Sequence, residues 1–190
     1  MRFLLLLFCS FATAISSVAA STPQQIIDTF SNLTSQAVAI IPKLQRLYDP
    51  NVQATEQDVQ GSKMPLDALE VQYIKFAADV VSTPAANLNT TTTDALSNAA
   101  QEHSKAFSDM GVALARGLPT YEKYGHDLYV AGCKDGVTIG LDALIIFTAL
   151  GLKFPGAITT LVVQGILEVV RVPLGELRAA ECFVPVIPPL

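Results

Sequence analysis

The sequence predicts an all-α protein, a bundle of four to six helices that ends in an apolar helical hairpin. Apolar residues recur with helical spacing in three separate segments, and no segment alternates like a strand bounded by hairpin turns. In addition, a proline and a glycine divide one long apolar region near the C-terminus. We assign residues 21–182 to a single helical domain, which is long enough to bury one hydrophobic core.

The first helix is expected to begin at Pro23, because Thr22 and Gln25 have the spacing of a capping box. Its apolar residues alternate at intervals of four and three, which indicates a helix packed at a shallow angle. They are Ile26, Phe30, Leu33, Ala37, Ile40, Leu44 and Leu47. Pro42 predicts a kink or the end of the first half of this helix, and residues 49–51 end it.

The same spacing predicts a second and a third helix. The second should begin at Pro65 and end at residues 82–84. Its apolar positions are Leu66, Leu69, Tyr73, Phe76 and Val80. The third should begin at Thr93 or Asp94 and end at residues 117–119, Gly-Leu-Pro. Its apolar positions are Leu96, Ala100, His103, Phe107, Met110 and Leu114.

The apolar region covers residues 136–170 and carries only three charged side chains, Asp142, Lys153 and Glu168. An exported chain must either bury or use so much apolar surface. Polar residues fall on one narrow stripe of each half of the region, so each half has a thin polar edge and a wide apolar face.

Pro155 and Gly156 divide the apolar region into two predicted helices, near residues 134–152 and 157–172. The second helix can resume beyond Pro173. An antiparallel hairpin with two arms of similar length brings its open ends together. More polar residues between 120 and 133 should form a partly helical bridge to this hairpin.

Cys133 and Cys182 lie at the open end of that hairpin, which predicts one disulfide. A bond that closes a loop of about 50 residues contributes ~4 kcal/mol in the chain-entropy model. The alternative is a pair of free thiols or a redox pair, but the chain has no C-x-x-C motif.

The N-terminus has the order of a secretory signal peptide, in which a basic residue precedes an apolar run and small residues. We expect cleavage after Ala20, which makes residues 1–20 the leader; Ala14 is a second possible position. The apolar run is too short to span a bilayer. The proline-rich residues 183–190 should form an extended tail. Asn32 and Asn89 begin glycosylation sequons, which a secreted eukaryotic protein can use.

Charge narrows the classes of partner. The formal charge is −5, and it becomes −6 once Arg2 leaves with the leader. Such a chain is a poor partner for nucleic acid. Because no polybasic patch is present, contact with lipid has to come from apolar burial.

Few residues indicate catalysis. His103 lies on the apolar side of the third helix, as expected of a hydrogen-bonded core imidazole, and His126 precedes Asp127 in the polar bridge. The chain has no serine nucleophile elbow, zinc-protease motif or phosphate-binding loop. We therefore predict a non-enzymatic protein without a metal or other cofactor, although carboxylates from distant helices would leave no local motif.

The wide apolar faces of the hairpin are the candidate binding site for a hydrophobic surface or lipid acyl chains. The candidate contacts are Leu141, Leu144, Ile145, Phe147, Leu161, Val162, Ile166 and Val169. Packing in the core is the competing interpretation for each of them. Gly132, Gly136 and Gly140 recur every four residues, which favours close helix packing inside the bundle over contact between membrane helices.

The organisation of the chain resembles the fungal hydrophobic surface-binding protein A group and the related cell-wall galactomannoproteins. The resemblance rests on the long first helix from Ile26 to Leu47, the connector Thr83-Pro84-Ala85, the helix of residues 94–114 and the aromatic segment at Tyr121. It implies a secreted helical protein that adsorbs to hydrophobic surfaces or holds lipids, at the wall or outside the cell. The cysteine pair and the apolar residues after Gly136 depart from the family pattern.

Two alternatives use the same hairpin of residues 136–170. In the first, a secreted effector inserts the hairpin into membranes, but no stable transmembrane span is expected because Asp142 and Glu168 would have to be buried or protonated. In the second, the effector binds a protein partner that the sequence does not identify.

Overall fold

A computed structural model describes residues 21–155 and 160–183, without the side chains of residues 160–168. This part of the chain forms five helices and no strand, which confirms the all-α prediction. The helices are α1 (Pro23–Arg46), α2 (Glu56–Ser82), α3 (Thr90–Tyr124), α4 (His126–Lys153) and α5 (Thr160–Ala179). The leader predicted at residues 1–20 and the tail from residue 184 onwards lie outside the described residues.

Four helices form a square in the order α1, α2, α4 and α3, and α5 lies in the groove between α3 and α4. α1 and α3 run parallel, since Thr34 pairs with His103 and Leu47 pairs with Thr120 further along both helices. α4 and α5 are antiparallel: Gly140 faces Leu174, while Cys133 bonds to Cys182. All five helices contribute side chains to one hydrophobic core.

α1 begins as predicted. Thr22 caps the helix, Gln25 completes the capping box, and all seven predicted apolar residues are buried. The helix continues through Pro42, whose ring is turned to solvent, instead of ending there. Burial of Ile40 and Leu44 on either side of the proline favours a continuous helix over the predicted break.

The predicted start of the second helix is wrong, because α2 begins at Glu56 and contains Pro65. Thr55 caps it, and Asp58 completes a capping box that lies nine residues before the proline-based start. Val59 is fully buried in the added turns. The predicted apolar positions from Leu66 to Val80 are all buried, and the end at Ser82 is confirmed.

The predicted limits of the third helix are also wrong. Asn89 caps α3, and the helix passes through Gly117 and Pro119 to Tyr124. Gly117 serves a close approach, since Leu47 Cδ1 lies 3.2 Å from the position that a Cβ would take there. Tyr121 is fully buried beyond the proline, and this burial offsets the backbone hydrogen bond that Pro119 removes.

The predicted polar bridge belongs mostly to helices, because Gly125 alone separates α3 from α4. α4 therefore starts earlier than the helix predicted near residue 134. Cys133 and Cys182 form the predicted disulfide, with a Cα–Cα distance of 5.4 Å, at the end of the α4–α5 hairpin that lies opposite Pro155. α5 passes through Pro173, so its two predicted parts form one helix.

Glycines let α5 lie close to its neighbours. A Cβ on Gly136 would stand 2.8 Å from Leu114 of α3 and 3.0 Å from Leu177 of α5. A Cβ on Gly111 would overlap the ring of Pro173, and one on Gly140 would overlap Leu174. The small-residue repeat of α4 thus serves packing inside the bundle.

Gly111→Ala should lower the free energy of unfolding by about 1–3 kcal/mol, because the added methyl group overlaps Pro173 and has to displace α5. Gly175→Ala is the matched control on α5, since nothing lies within 4 Å of its added Cβ. This control should gain up to about 1 kcal/mol from helix propensity. Urea unfolding followed by circular dichroism measures both changes. Equal effects of the two substitutions would contradict the close contact.

Candidate functional site

α4 turns an uncharged face to solvent along more than half of its length. It contacts α2, α3 and α5, so one side of the helix has no neighbouring helix. We call this side the α4 surface. It consists of Val137, Leu141, Leu144, Ile145, Thr148 and Leu152. Leu152 is 73% exposed and Ile145 is 39% exposed, whereas the others are partly buried. Solvent-facing sides of helices normally carry charged residues, so this surface is unusual.

α2 extends the apolar character beside the α4 surface. Met64 is 71% exposed and Val71 is 65% exposed on the solvent side of α2, and Ile74 is exposed on the side towards α4. α2 and α4 run parallel in a register set by Lys63 and Asp135. This register places Ile74 at about the level of Ile145. The two helices therefore present apolar side chains on adjacent outer faces.

The predicted contacts are divided among different environments. Leu141, Leu144 and Ile145 lie on the α4 surface. Phe147 lies in the core instead of on a binding face: it is 1% exposed, and its ring stacks on Phe30 at a centroid distance of 5.7 Å. The reason is its position on the inner side of α4, one residue beyond Ile146.

The predicted contacts on the last helix do not join the α4 surface. Val169 is 36% exposed and lies on α5, one turn before Pro173, whose ring packs on Gly111 of α3. The side chains of Leu161, Val162 and Ile166 lie outside the described residues.

The contacts predicted from the sequence do not include Leu152 or the exposed apolar residues of α2. In α2, the predicted apolar seam accounts for the buried side alone. Met64, Val71 and Ile74 are the large apolar residues of the helix that lie outside this seam and are exposed. Large apolar residues outside the buried seam are the feature of the sequence that predicts an exposed apolar side of α2.

A charged seam separates the inner sides of α2 and α4. We call it the α2–α4 seam, and it comprises Lys63, Asp67, Glu70 and Tyr73 of α2 with Lys134, Asp135 and Asp142 of α4. Lys63 contacts Asp67 and pairs with the buried Asp135 at 2.8 Å. Lys134 lies 3.7 Å from Glu70.

Within this seam, the inner carboxylate oxygen of Asp142 has neither an ion-pair partner nor a hydrogen-bond partner among the described residues. This atom, Oδ2, is buried and accepts no hydrogen bond from the described part of the chain. Burial, with a further contribution from the charge of Glu70, raises the pKa of Asp142 from 3.8 to about 6. Burial also raises the pKa of Asp135 to about 6, although Lys63 opposes the rise. Asp142 therefore binds a proton more tightly in the folded protein than in the unfolded chain.

The buried histidine takes part in a structural hydrogen-bond chain. His103 Nδ1 lies 3.1 Å from the hydroxyl of Thr34, and its Nε2 lies 2.6 Å from the hydroxyl of Tyr73. Complete burial lowers the pKa of His103 to about 3, so the ring stays neutral. The chain joins α1, α3 and α2 inside the core, and His103 is only 1% exposed. This position agrees with the predicted core imidazole.

A second set of polar residues lines an open groove of about 410 Å³ near the disulfide. His126 lies 3.1 Å from Glu122, and its ring stacks on Tyr129. The hydroxyl of Tyr129 donates to the carbonyl of Ala180 at 2.6 Å, which uses its proton in a structural contact. Within residues 21–155 and 160–183, no three acidic, histidine or cysteine side chains are grouped to hold a metal ion.

No protein-family model matches this chain, and no curated protein or solved structure is significantly similar to it. The properties of the site therefore have to come from its own residues. Among the described helices, α4 alone is long and apolar enough to cross a membrane, but half of its most apolar stretch is buried in the bundle.

The raised pKa of Asp142 predicts that this side chain destabilises the fold at neutral pH and no longer does so in acid. The folded protein binds the proton more tightly than the unfolded chain does. The contribution of Asp142 to stability is therefore highest at and below the unfolded pKa of 3.8 and falls as the pH rises through about 6. His103 contributes with the opposite sign, because its lowered pKa of about 3 makes the fold less stable as the pH falls below about 6.5. Asp142→Asn should remove the cost of the Asp142 charge and gain about 1–2 kcal/mol at pH 7.5, where it raises the Tm by about 3–6 °C.

Thermal unfolding at pH 5.0 and pH 7.5 measures this difference. Asp109→Asn, at an exposed position of α3, is the control of equal charge and should change the Tm by less than about 1 °C. The pH dependence that Asp142→Asn retains in this range is expected from Asp135 and, with the opposite sign, from His103. A Tm of Asp142→Asn at pH 7.5 no higher than that of the wild type would contradict the proposed cost.

Proposed function

We propose that this protein is a secreted, non-enzymatic protein that adsorbs to hydrophobic surfaces or to the acyl chains of lipids through the α4 surface. The observation that carries the proposal is a solvent-facing side of α4 without a charged residue from Val137 to Leu152. Apolar patches of this kind on soluble proteins commonly mark contact sites.

A flat surface fits adsorption better than enclosure of a ligand. The side chains of the α4 surface lie along one helix, and the exposed residues of α2 widen the patch sideways. Covering roughly 300 Å² of apolar area would contribute about 7 kcal/mol before the costs of association. That magnitude is compatible with reversible attachment.

A non-enzymatic role is supported by the surroundings of the reactive side chains. His103 is inside the core, and both of its ring nitrogens are engaged by Thr34 and Tyr73. In the groove near the disulfide, His126 is paired with Glu122. The described residues that line this groove include no serine, threonine or cysteine that could act as a nucleophile. These arrangements are typical of structural polar contacts rather than of acid-base catalysis.

Location outside the cell is supported by the cysteine pair and by the predicted leader. Disulfides persist in oxidising compartments, and Cys133 and Cys182 lie at bonding distance. Asn32 and Asn89, which begin the sequons, are both exposed. The resemblance in organisation to fungal surface-binding and cell-wall proteins adds the expectation of a place at the cell wall.

Insertion into a membrane is the competing use of α4, because this helix is long enough to cross a bilayer. Insertion would remove Phe147 and the other inner residues from the core, which costs far more than adsorption of the outer side. The closed bundle therefore favours adsorption.

Replacement of the two most exposed residues of the α4 surface tests the proposal. The double variant Ile145→Ser with Leu152→Ser should weaken binding to octyl-coated beads and to phosphatidylcholine vesicles at least roughly tenfold, because it removes about 2–3 kcal/mol of apolar burial. Depletion from solution at increasing bead or vesicle concentration measures the apparent Kd.

Val38→Ser on α1 is the matched control, since Val38 is 53% exposed but lies on another helix. Its apparent Kd should stay within about twofold of the wild type. Failure of the wild type to bind either probe, or equal losses in both variants, would overturn the proposed function. Dye release from the vesicles would indicate insertion instead.

A further inference from the structure

We propose that adsorption through the α4 surface is coupled to proton uptake in the α2–α4 seam, so that the protein holds uncharged apolar surfaces more tightly in mild acid than at neutral pH. This inference rests on the proposed function and adds its regulation and the charge class of its target. The observation that supports it is the position of the Asp142 carboxylate at the margin of the α4 surface.

Asp142 lies directly at that margin. It follows Leu141 in the chain and lies one turn before Ile146, at the edge where α4 meets α2. The side chain is partly buried, with an inner oxygen that accepts no hydrogen bond from the described residues. Water at the outer edge is therefore what solvates its charge. An apolar surface that covers Leu141 and Ile145 would remove part of that water.

The groups around Asp142 favour its protonation. On α2, Glu70 repels its charge, and Tyr73 is neutral because burial raises the pKa of its hydroxyl well above 10. Lys63 and Asp67, also on α2, lie earlier in the seam and pair with each other, and Lys63 also pairs with Asp135 of α4.

The remaining neighbours do not supply a positive charge to Asp142. On α3, His103 is hydrogen-bonded to Tyr73 of the seam and stays neutral. On α4, Lys134 is directed to Glu70. None of the charged side chains described on α5, including Arg171, is among the groups that shift the pKa of Asp142.

Reciprocal linkage then connects adsorption to pH. If contact raises the pKa of Asp142 further, protonation must strengthen contact by the same factor. A rise of one pKa unit on adsorption limits this factor to tenfold. Between pH 7.5 and pH 5.0 we expect the apparent Kd to fall about five- to tenfold.

The same residues select the charge of the target. From Val137 to Leu152 the α4 surface has no basic side chain, and the seam beside it contributes Glu70 and Asp142. Anionic headgroups would be repelled by Asp142 at the margin, and the α4 surface itself offers them no cation, because Lys75, Lys134 and Lys153 lie outside it and Lys134 is paired with Glu70. The charge pattern fits an electrically neutral apolar interface.

The experiment compares Asp142→Asn with Asp109→Asn, which changes the net charge by the same amount at an exposed site on α3. Each protein is titrated with octyl-coated beads and with phosphatidylcholine vesicles at pH 5.0 and pH 7.5, in 150 mM salt. Circular dichroism confirms that both variants are folded. Wild type and Asp109→Asn should bind about five- to tenfold more tightly at pH 5.0. Asp142→Asn should bind at both pH values as tightly as the wild type does in acid, within about twofold.

The matched charge separates this mechanism from a general approach to the isoelectric point, which lies near pH 4.9. If the two variants share the pH dependence of the wild type, or lose it equally, the coupling to Asp142 is refuted while adsorption itself stands. If the wild type binds neither probe at either pH, the proposed function fails, and this inference fails with it. Tighter binding to vesicles that contain phosphatidylserine would refute the selection of neutral surfaces.

Discussion

The close approach of α5 to α3 and α4 is the contact on which the rest of the architecture depends. Three glycines leave space for the side chains of α5, and a Cβ at Gly111 or Gly140 would overlap Pro173 or Leu174. The disulfide between Cys133 and Cys182 also ties α4 to the residues that follow α5. Because α5 fills the groove between α3 and α4, α4 has three neighbours, and its fourth side is left to solvent.

This packing explains how one helix can be both a core element and a candidate contact surface. The inner side of α4 supplies fully buried residues such as Phe147, while the outer side keeps apolar residues that no other described helix covers. A uniformly apolar helix usually belongs in a core. In α4 the apolar composition exceeds what three neighbouring helices can bury. The excess is the physical basis of the proposed adsorption.

The helix class and the buried seams could be predicted from sequence because helical spacing depends on local geometry alone. The ends were less predictable. Pro65 and Pro119 were interpreted as boundaries, but each lies inside a helix whose buried neighbours outweigh one lost backbone hydrogen bond. The spacing of Thr55 and Asp58 in a capping box marks the true start of α2, and the prediction from Pro65 does not use it.

The candidate site was predictable only in part, for a related reason. Helical spacing places Leu141 and Ile145 on one side of α4, but it does not say which sides meet neighbouring helices. Phe147, two residues after Ile145, lies on the opposite side of the helix, where its ring stacks on Phe30. Asp142 appeared in the sequence as one charge in an apolar region. Its importance depends on Glu70, which belongs to another helix and is brought near by the fold.

The parallel pairing of α1 with α3 and of α2 with α4 has a consequence for how the chain folds. The hydrogen bond between Thr34 and His103 joins residues 69 positions apart, and that between Thr120 and Leu47 joins residues 73 apart. Consecutive helices also pack on each other, α1 on α2 and α3 on α4, but the contacts of α1 with α3 and of α2 with α4 join distant parts of the chain. The entropy of closing long loops has to be lost before these contacts form, so the folding rate should be slower than that of a bundle of nearest-neighbour hairpins. The part of the core between α1 and α3 and between α2 and α4 therefore depends on contacts that form late.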